Sequence, residues 1–177
     1  MFSVFVLGFA SQASADTLTD ANGEPVETGS EITLTSTNLT STFTGGFSTG
    51  CLNLIVPAEV AENGPEQIAV VPLNLFASGC LLEPGNFAMF INSPVFGTIT
   101  LSEGVGSAVF GSTENVPAAG LSCTYGGTFN FSYEVETNVL AVPGSTFTGG
   151  GSGGCPESKE MHGEFTLKNG LGPVTIN

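Results

Sequence analysis

The sequence predicts an all-β chain, an antiparallel β-sandwich or barrel-like single domain built from two related disulfide-stapled β-units. Three observations carry that expectation. Apolar and polar residues alternate with the period of two of a half-buried strand in segment after segment. Turn-forming Gly, Pro and Asn clusters separate those segments, in a chain of 177 residues that holds 25 Gly. A cysteine-ended motif occurs twice, STFTGGFSTGC at 41–51 and STFTGGGSGGC at 145–155, identical at nine of eleven positions.

The chain opens with an apolar run, FSVFVLGFA at 2–10, of the length of a signal-peptide core. Ala13-Ser14-Ala15 supplies the small residues that precede a cleavage site, so residues 1–15 are expected to be a signal peptide, although no Lys or Arg stands ahead of the run. A polar segment, 16–30, follows. One all-β domain is then expected over 31–177, with repeat halves near 31–110 and 111–177.

Ile32 and Leu34 alternate with Thr33 and Thr35. The stretches Leu52–Val56, Ile68–Phe76 and Phe87–Ile91 are apolar on both faces, as in strands covered by a second layer. Ala58–Glu62, stopped by Asn63-Gly64-Pro65, is the one stretch that suggests a helical turn. Pro84-Gly85-Asn86, Ser93-Pro94, Gly126-Gly127 and Asn169-Gly170 mark turns. Phe129, Phe131, Tyr133 and Val135 alternate with Asn130, Ser132, Glu134 and Glu136, which is a strand with one wet face. His162, beside Lys159 and Glu160, suggests an exposed loop. Phe165 and Leu167 sit between polar residues, and Val174 and Ile176 close the chain.

Charge narrows the function classes. Two basic side chains face sixteen acidic ones, a formal net charge of −14. No phosphate-tracking surface can be built from two cations, so nucleic acid is excluded as a partner. Electrostatic docking on anionic lipid is disfavoured for the same reason. Hydrophobic residues make up 41% and charged ones only 10%, which is not the composition of a disordered acidic tail. No stretch reaches the length of a membrane helix, and no transmembrane span is expected.

An even cysteine count in an exported chain points to disulfides. Cys51, Cys80, Cys123 and Cys155 allow three pairings. The sequential one, Cys51–Cys80 with Cys123–Cys155, is favoured because it closes one local loop in each half. With a single His and no closely spaced cysteine pair, neither a metal nor another cofactor is expected.

The runs GLSCTYGG (120–127), GSGGCPES (151–158), GEFTL (163–167) and GPVTI (172–176) resemble a group of uncharacterised secreted proteins of actinobacteria. Those chains are Thr/Gly-rich and β-patterned, with paired cysteines after a signal peptide. The resemblance covers about the last third of the chain. It implies export and a β fold, and it carries no site residues.

Two GxSxG matches, at 46–50 around Ser48 and at 150–154 around Ser152, raise a serine hydrolase. A nucleophile elbow needs a helix after the serine. Each match instead runs straight into a cysteine, and His162 is the only histidine. Glycosidase chemistry needs two facing carboxylates, for which Glu59, Glu62 and Glu66, or Glu134 and Glu136, are the candidates. Calcium would be a natural use of surplus carboxylates outside the cell, yet no DxDxDG-like loop exists. Asn38-Leu39-Thr40 and Asn130-Phe131-Ser132 match the glycosylation sequon. Fourteen Phe could line a ligand cavity or face lipid; short strands, disulfides and the absence of Trp favour a packed core.

The sequence therefore leads to an exported, non-catalytic extracellular or cell-surface module for binding or structure. Its partner would be an extracellular protein, a glycan or an apolar ligand. The alternatives are a small apolar-ligand barrel and a secreted hydrolase using Ser48 or Ser152. The exported product is expected to begin at Asp16. Intact mass of secreted protein checks this, and retention of residues 1–15 would show that they are not a cleaved signal.

Overall fold

The computed structural model describes residues 16–134, 138–151 and 153–177. The expected signal peptide, Val135, Glu136 and Ser152 lie outside the described residues. The strands are β1 (Leu18–Thr19), β2 (Glu31–Ser36), β3 (Thr40–Phe43), β4 (Ser48–Gly50), β5 (Asn53–Asn63), β6 (Ile68–Pro72), β7 (Phe76–Ser78), β8 (Leu81–Glu83) and β9 (Phe87–Ala88). They continue as β10 (Phe90–Phe96), β11 (Ile99–Ser102), β12 (Val105–Val116), β13 (Leu121–Glu134), β14 (Val139–Gly151), β15 (Ser158–Asn169), β16 (Gly172–Pro173) and β17 (Thr175–Ile176). A 3-10 turn, Pro117–Ala119, links β12 to β13.

Eight of these strands close an antiparallel barrel. The order runs β2, β5, β6, β11, β12, β13, β14, β15 and back to β2. Closure removes the open edges that a flat sheet would expose. Of the two architectures left open by the sequence, the chain adopts the barrel.

Four of the barrel strands, β12 to β15, are long enough to run on beyond it. Their extensions carry β10 against β12 on one side. On the other side β15 carries β3, followed by β4, β8 and β9. β15 thus serves two neighbours in succession: Lys159–His162 pair with β3, and Thr166–Lys168 pair with β2. At the jog between them the Asn38 carboxamide replaces ladder partners. Its Oδ1 accepts the Glu164 N–H at 2.9 Å, and its Nδ2 donates to the Glu164 carboxylate at 3.1 Å. The chain approaches so closely there that a Cβ on Gly163 would lie 2.7 Å from Leu39 Cα.

The core follows the alternation that the sequence shows. Ile32 and Leu34 of β2, Phe129 and Phe131 of β13, and Phe165 and Leu167 of β15 all point inward and are buried. Phe129 is the hub of an aromatic cluster, with ring centroids 5.0–5.7 Å from those of Phe96, Phe110, Phe131 and Phe147. Leu18 and Val26, from the polar N-terminal segment, are buried in the same core.

Three expectations need correction. Ala58–Glu62 is not a helical turn but the middle of β5. Ala58 and Val60 point inward there, Glu59 points out, and β2 and β6 pair along both edges. Ala and Glu favour helix only weakly, and two flanking ladders override that preference. The apolar stretches at 52–56, 68–76 and 87–91 are not covered on both faces. Leu52, Ile55, Leu73, Phe76, Phe87 and Phe90 are exposed, because no second layer lies over that side of the barrel. Finally, Lys159 and His162 are not in a loop: both belong to β15.

The two copies of the repeat differ in shape but share a register. In the first copy the strands β3 and β4 form a hairpin, turned by Gly45 and Gly46 at φ of 100° and 90°. The second copy continues as strand β14 as far as Gly151. Both lie beside β15, one on each side. Ser41 and Ser145 stand opposite Met161, Thr42 and Thr146 opposite Glu160, and Phe43 and Phe147 opposite Lys159. The repeat therefore brackets one strand.

Two adjacent glycines of the second copy have different reasons to be there. A Cβ on Gly149 would lie 2.3 Å from the Thr124 carbonyl oxygen and 2.3 Å from the Tyr125 ring, whereas one on Gly150 meets nothing within 4 Å. Gly149→Ala should destabilise the protein by about 1–3 kcal/mol through overpacking. Gly150→Ala should stay within about ±0.5 kcal/mol. Denaturant midpoints of the two variants check this contrast.

Candidate functional site

The residues that raised catalysis do not converge. Ser48 is exposed on β4, opposite Thr42 of β3, which in turn stands opposite Glu160 of β15. His162 is therefore two strands over and two residues along. Its Nδ1 lies 3.1 Å from the Pro143 carbonyl, and its Nε2 lies 3.4 Å from the Glu160 carboxylate. Both ring nitrogens are engaged away from Ser48. Glu59 stands opposite Glu31 on the outer face, and Glu62 accepts a hydrogen bond from Gln67 Nε2 at 3.1 Å. Among the described residues, no group of three His, Cys, Asp or Glu is placed to hold a metal ion. Asn38 of the first sequon spends its carboxamide on Glu164, as described above.

The chemically distinctive place is one that the sequence did not single out. Glu114 on β12 and Lys159 on β15 both project into the interior, where they are 4% and 2% exposed. Lys159 Nζ rests directly on Glu114 Oε1. The two strands are separated by β13 and β14 in the sheet, and the curl of the sheet brings the side chains together across the inside. One of the two cations in the whole chain is buried here.

Aromatic rings surround the ammonium. Nζ lies 5.1 Å from the ring centroid of Tyr125, 5.7 Å from that of Phe147, and 6.0 Å from those of Phe43 and Phe110. At that range the negative ring faces attract a cation, and the attraction grows when water is excluded. Phe43 and Phe147 reach the site because the repeat places both beside Lys159. Tyr125 reaches it because Gly149 leaves room for the ring.

The carboxylate is less well provided for. Ser112 Oγ donates to Oε1 over a long 3.4 Å. Oε2 is buried without a hydrogen-bond partner, a costly condition for a charged oxygen. A pocket of about 60 Å³ reaches Glu114 from beside the exposed Phe47, lined by Phe43, Leu82, Met89, Leu121 and Tyr125. A space of about 20 Å³ lies on the Lys159 side.

Burial governs the titrations. It pushes the Lys159 ammonium below the usual lysine range, and the Glu114 carboxylate opposes that shift. It also pushes the Tyr125 phenol up to about 12, with the Glu114 charge acting in the same direction. The Tyr125 hydroxyl donates to the Pro156 carbonyl at 3.2 Å.

The disulfides pair sequentially, Cys51 with Cys80 and Cys123 with Cys155. The first joins the end of β4 to the start of β8. The second spans β14, and Cys123 forms part of the pocket wall. Comparison with protein-family models, with curated proteins and with solved structures gives no match.

The Tyr125 shift sets an alkaline limit. Unfolded tyrosine ionises near 10, so the contribution of Tyr125 to stability is intact below about pH 10 and is lost as pH rises towards its native value. Phenolate absorbance of the wild type minus that of Tyr125→Phe should show ionisation near 12 in the folded protein. A step near the unfolded value, with the fold intact, would contradict the buried setting of the ring.

Proposed function

We propose that the chain is an exported, non-catalytic β-barrel module that serves as a rigid binding or structural part outside the cell or on its surface. The observation that carries this reading is the filled barrel. Phe110, Phe129, Phe131, Phe147 and Phe165 are packed ring on ring inside it. The spaces beside these rings, about 60 and about 20 Å³, fall far below the several hundred Å³ of a drug-sized ligand site, and the roomier hollow of about 530 Å³ beside Gln67, Leu101 and Phe131 is a wide-open one and not an enclosed cavity. That weighs against a carrier barrel. The separation of Ser48 from His162 weighs against a hydrolase built on that serine.

Export is supported by the two disulfides, which persist in oxidising compartments. The apolar leader pattern and the resemblance to secreted actinobacterial proteins point the same way. Binding then falls to the outer surface, where Leu52, Leu73, Phe76 and Val95 are exposed. An extracellular protein or glycan is the class of partner that such a surface serves.

The test is fractionation after expression of the full chain in an exporting host. The protein should be recovered outside the cell or be accessible to added protease on intact cells, with all four cysteines oxidised. Ser48→Ala should leave fold, location and any surface phenotype unchanged. Reduced protein confined to the cytoplasm, or an esterase activity abolished by Ser48→Ala in a folded protein, would overturn the reading.

A further inference from the structure

The Glu114–Lys159 pair does more than an ion pair needs to do. Two full charges are held away from water, a loss of solvation that their mutual attraction repays only when the remaining lone pairs and protons are also hydrogen-bonded. Buried pairs that persist as ions satisfy their remaining lone pairs with further hydrogen bonds. Here Oε2 has none, and Oε1 has only the long contact from Ser112. The ammonium donates to Glu114 Oε1 and is otherwise faced by four aromatic rings. Burial without those further hydrogen bonds disfavours the charged form of the Lys159 amine.

We propose that Lys159 and Glu114 condense within the folded chain to an amide between Nζ and Cδ, an internal isopeptide cross-link joining β15 to β12. The chemistry balances without a co-reactant. A proton passes from the ammonium to the carboxylate across their direct contact, leaving an amine and a carboxylic acid. The Nζ lone pair attacks Cδ, forming the C–N bond. The tetrahedral intermediate collapses with rupture of one C–O bond, and that oxygen departs as water with one proton from Nζ and one from the carboxyl group. Nothing is oxidised or reduced.

Each feature of the site has a use in that reaction. Desolvation favours the uncharged amine, which is the nucleophilic form. The Ser112 hydroxyl, donating to Oε1, polarises the carboxyl group that is attacked. Folding fixes the two groups in contact, and such positioning can stand in for effective molarities of roughly 10⁵–10⁸ M. The pocket that reaches Glu114 gives the released water an exit, and its apolar lining offers little to hold a returning one. The product carries no charge, so the desolvation cost that the ion pair bears disappears. The cross-link would enclose the Cys123–Cys155 disulfide within the loop it closes, and it depends on no property of the outer surface.

The test is mass spectrometry of the full chain, purified in its folded state, then reduced and denatured. The processed chain should weigh one water less than its sequence. Trypsin needs a free lysine, so it should cut after Lys168 and not after Lys159. Further digestion with chymotrypsin, which can cut at Tyr125, Phe129, Phe131 and Phe147 between the two residues, should release a branched peptide containing residues from around both Glu114 and Lys159. Lys159→Arg keeps the positive charge but cannot form this amide, and it should show the full sequence mass. A full mass for the wild type with cleavage at both lysines would overturn the proposal, as would a missing water that survives in Lys159→Arg. If that variant fails to fold, the wild-type mass and the branched peptide decide the matter by themselves.

Discussion

Placing an ammonium and a carboxylate inside a β-barrel obliges much of the surrounding chain to be where it is. Lys159 can be tolerated away from water only if Glu114 meets it, and Glu114 can meet it only if the sheet curls enough to bring β12 and β15 face to face. The rings that line the site come from β3, β12, β13 and β14, so four strands must be seated before the pair is fully desolvated. Low dielectric strengthens the attraction once the site is closed and raises the penalty if any wall is missing. The charge pair therefore ties together segments that are distant in sequence more selectively than an additional Leu contact would.

The repeated motif has a physical role in that arrangement. Its value lies in what it places beside one strand: a Phe on each flank of Lys159 and a buried Ser on each flank of Met161. The glycines do different work in the two copies. In the first they turn a hairpin at positive φ. In the second, Gly149 clears space for the Tyr125 ring. One sequence thus supports two backbone paths because its fixed requirement is local, at the Ser-Thr-Phe triplet, while Gly-rich flanks adapt to the neighbours.

Much of the fold was legible in the sequence and most of the site was not. Alternation located β2, β13 and β15, because a face buried against a core must repeat every second residue. The disulfide pairing followed from local loop closure. The sheet order could not be read, because β15 changes partner at Gly163 and no local pattern records which strand lies alongside. The site was missed for a related reason. A Lys is ordinarily solvated, so Ser-Lys-Glu-Met-His suggests a loop. The available signal was parity: Lys159 and Met161 share the phase of Phe165 and Leu167, and Glu114 shares that of Phe110 and Val116. A charge on the apolar phase of a strand is a candidate for an interior partner of opposite sign. The apolar runs near 52–56 and 87–91 misled in the other direction, since hydrophobicity on both faces did not mean a cover on both.

The last strand offers a different kind of consequence. β17 pairs with β1, and the backbones of Thr17 and Asn177 exchange two hydrogen bonds, at 2.8 and 3.0 Å. The two ends of the described barrel are therefore neighbours. A chain entering at Thr17 and one leaving at Asn177 would do so from a single spot on the surface. Joined to other sequence at either end, the barrel would hang from that spot like a pendant, with its far face turned outward. It could also be spliced into a loop of another protein while disturbing its host little, since the host would have to bridge only the spacing of two paired strands, about 5 Å.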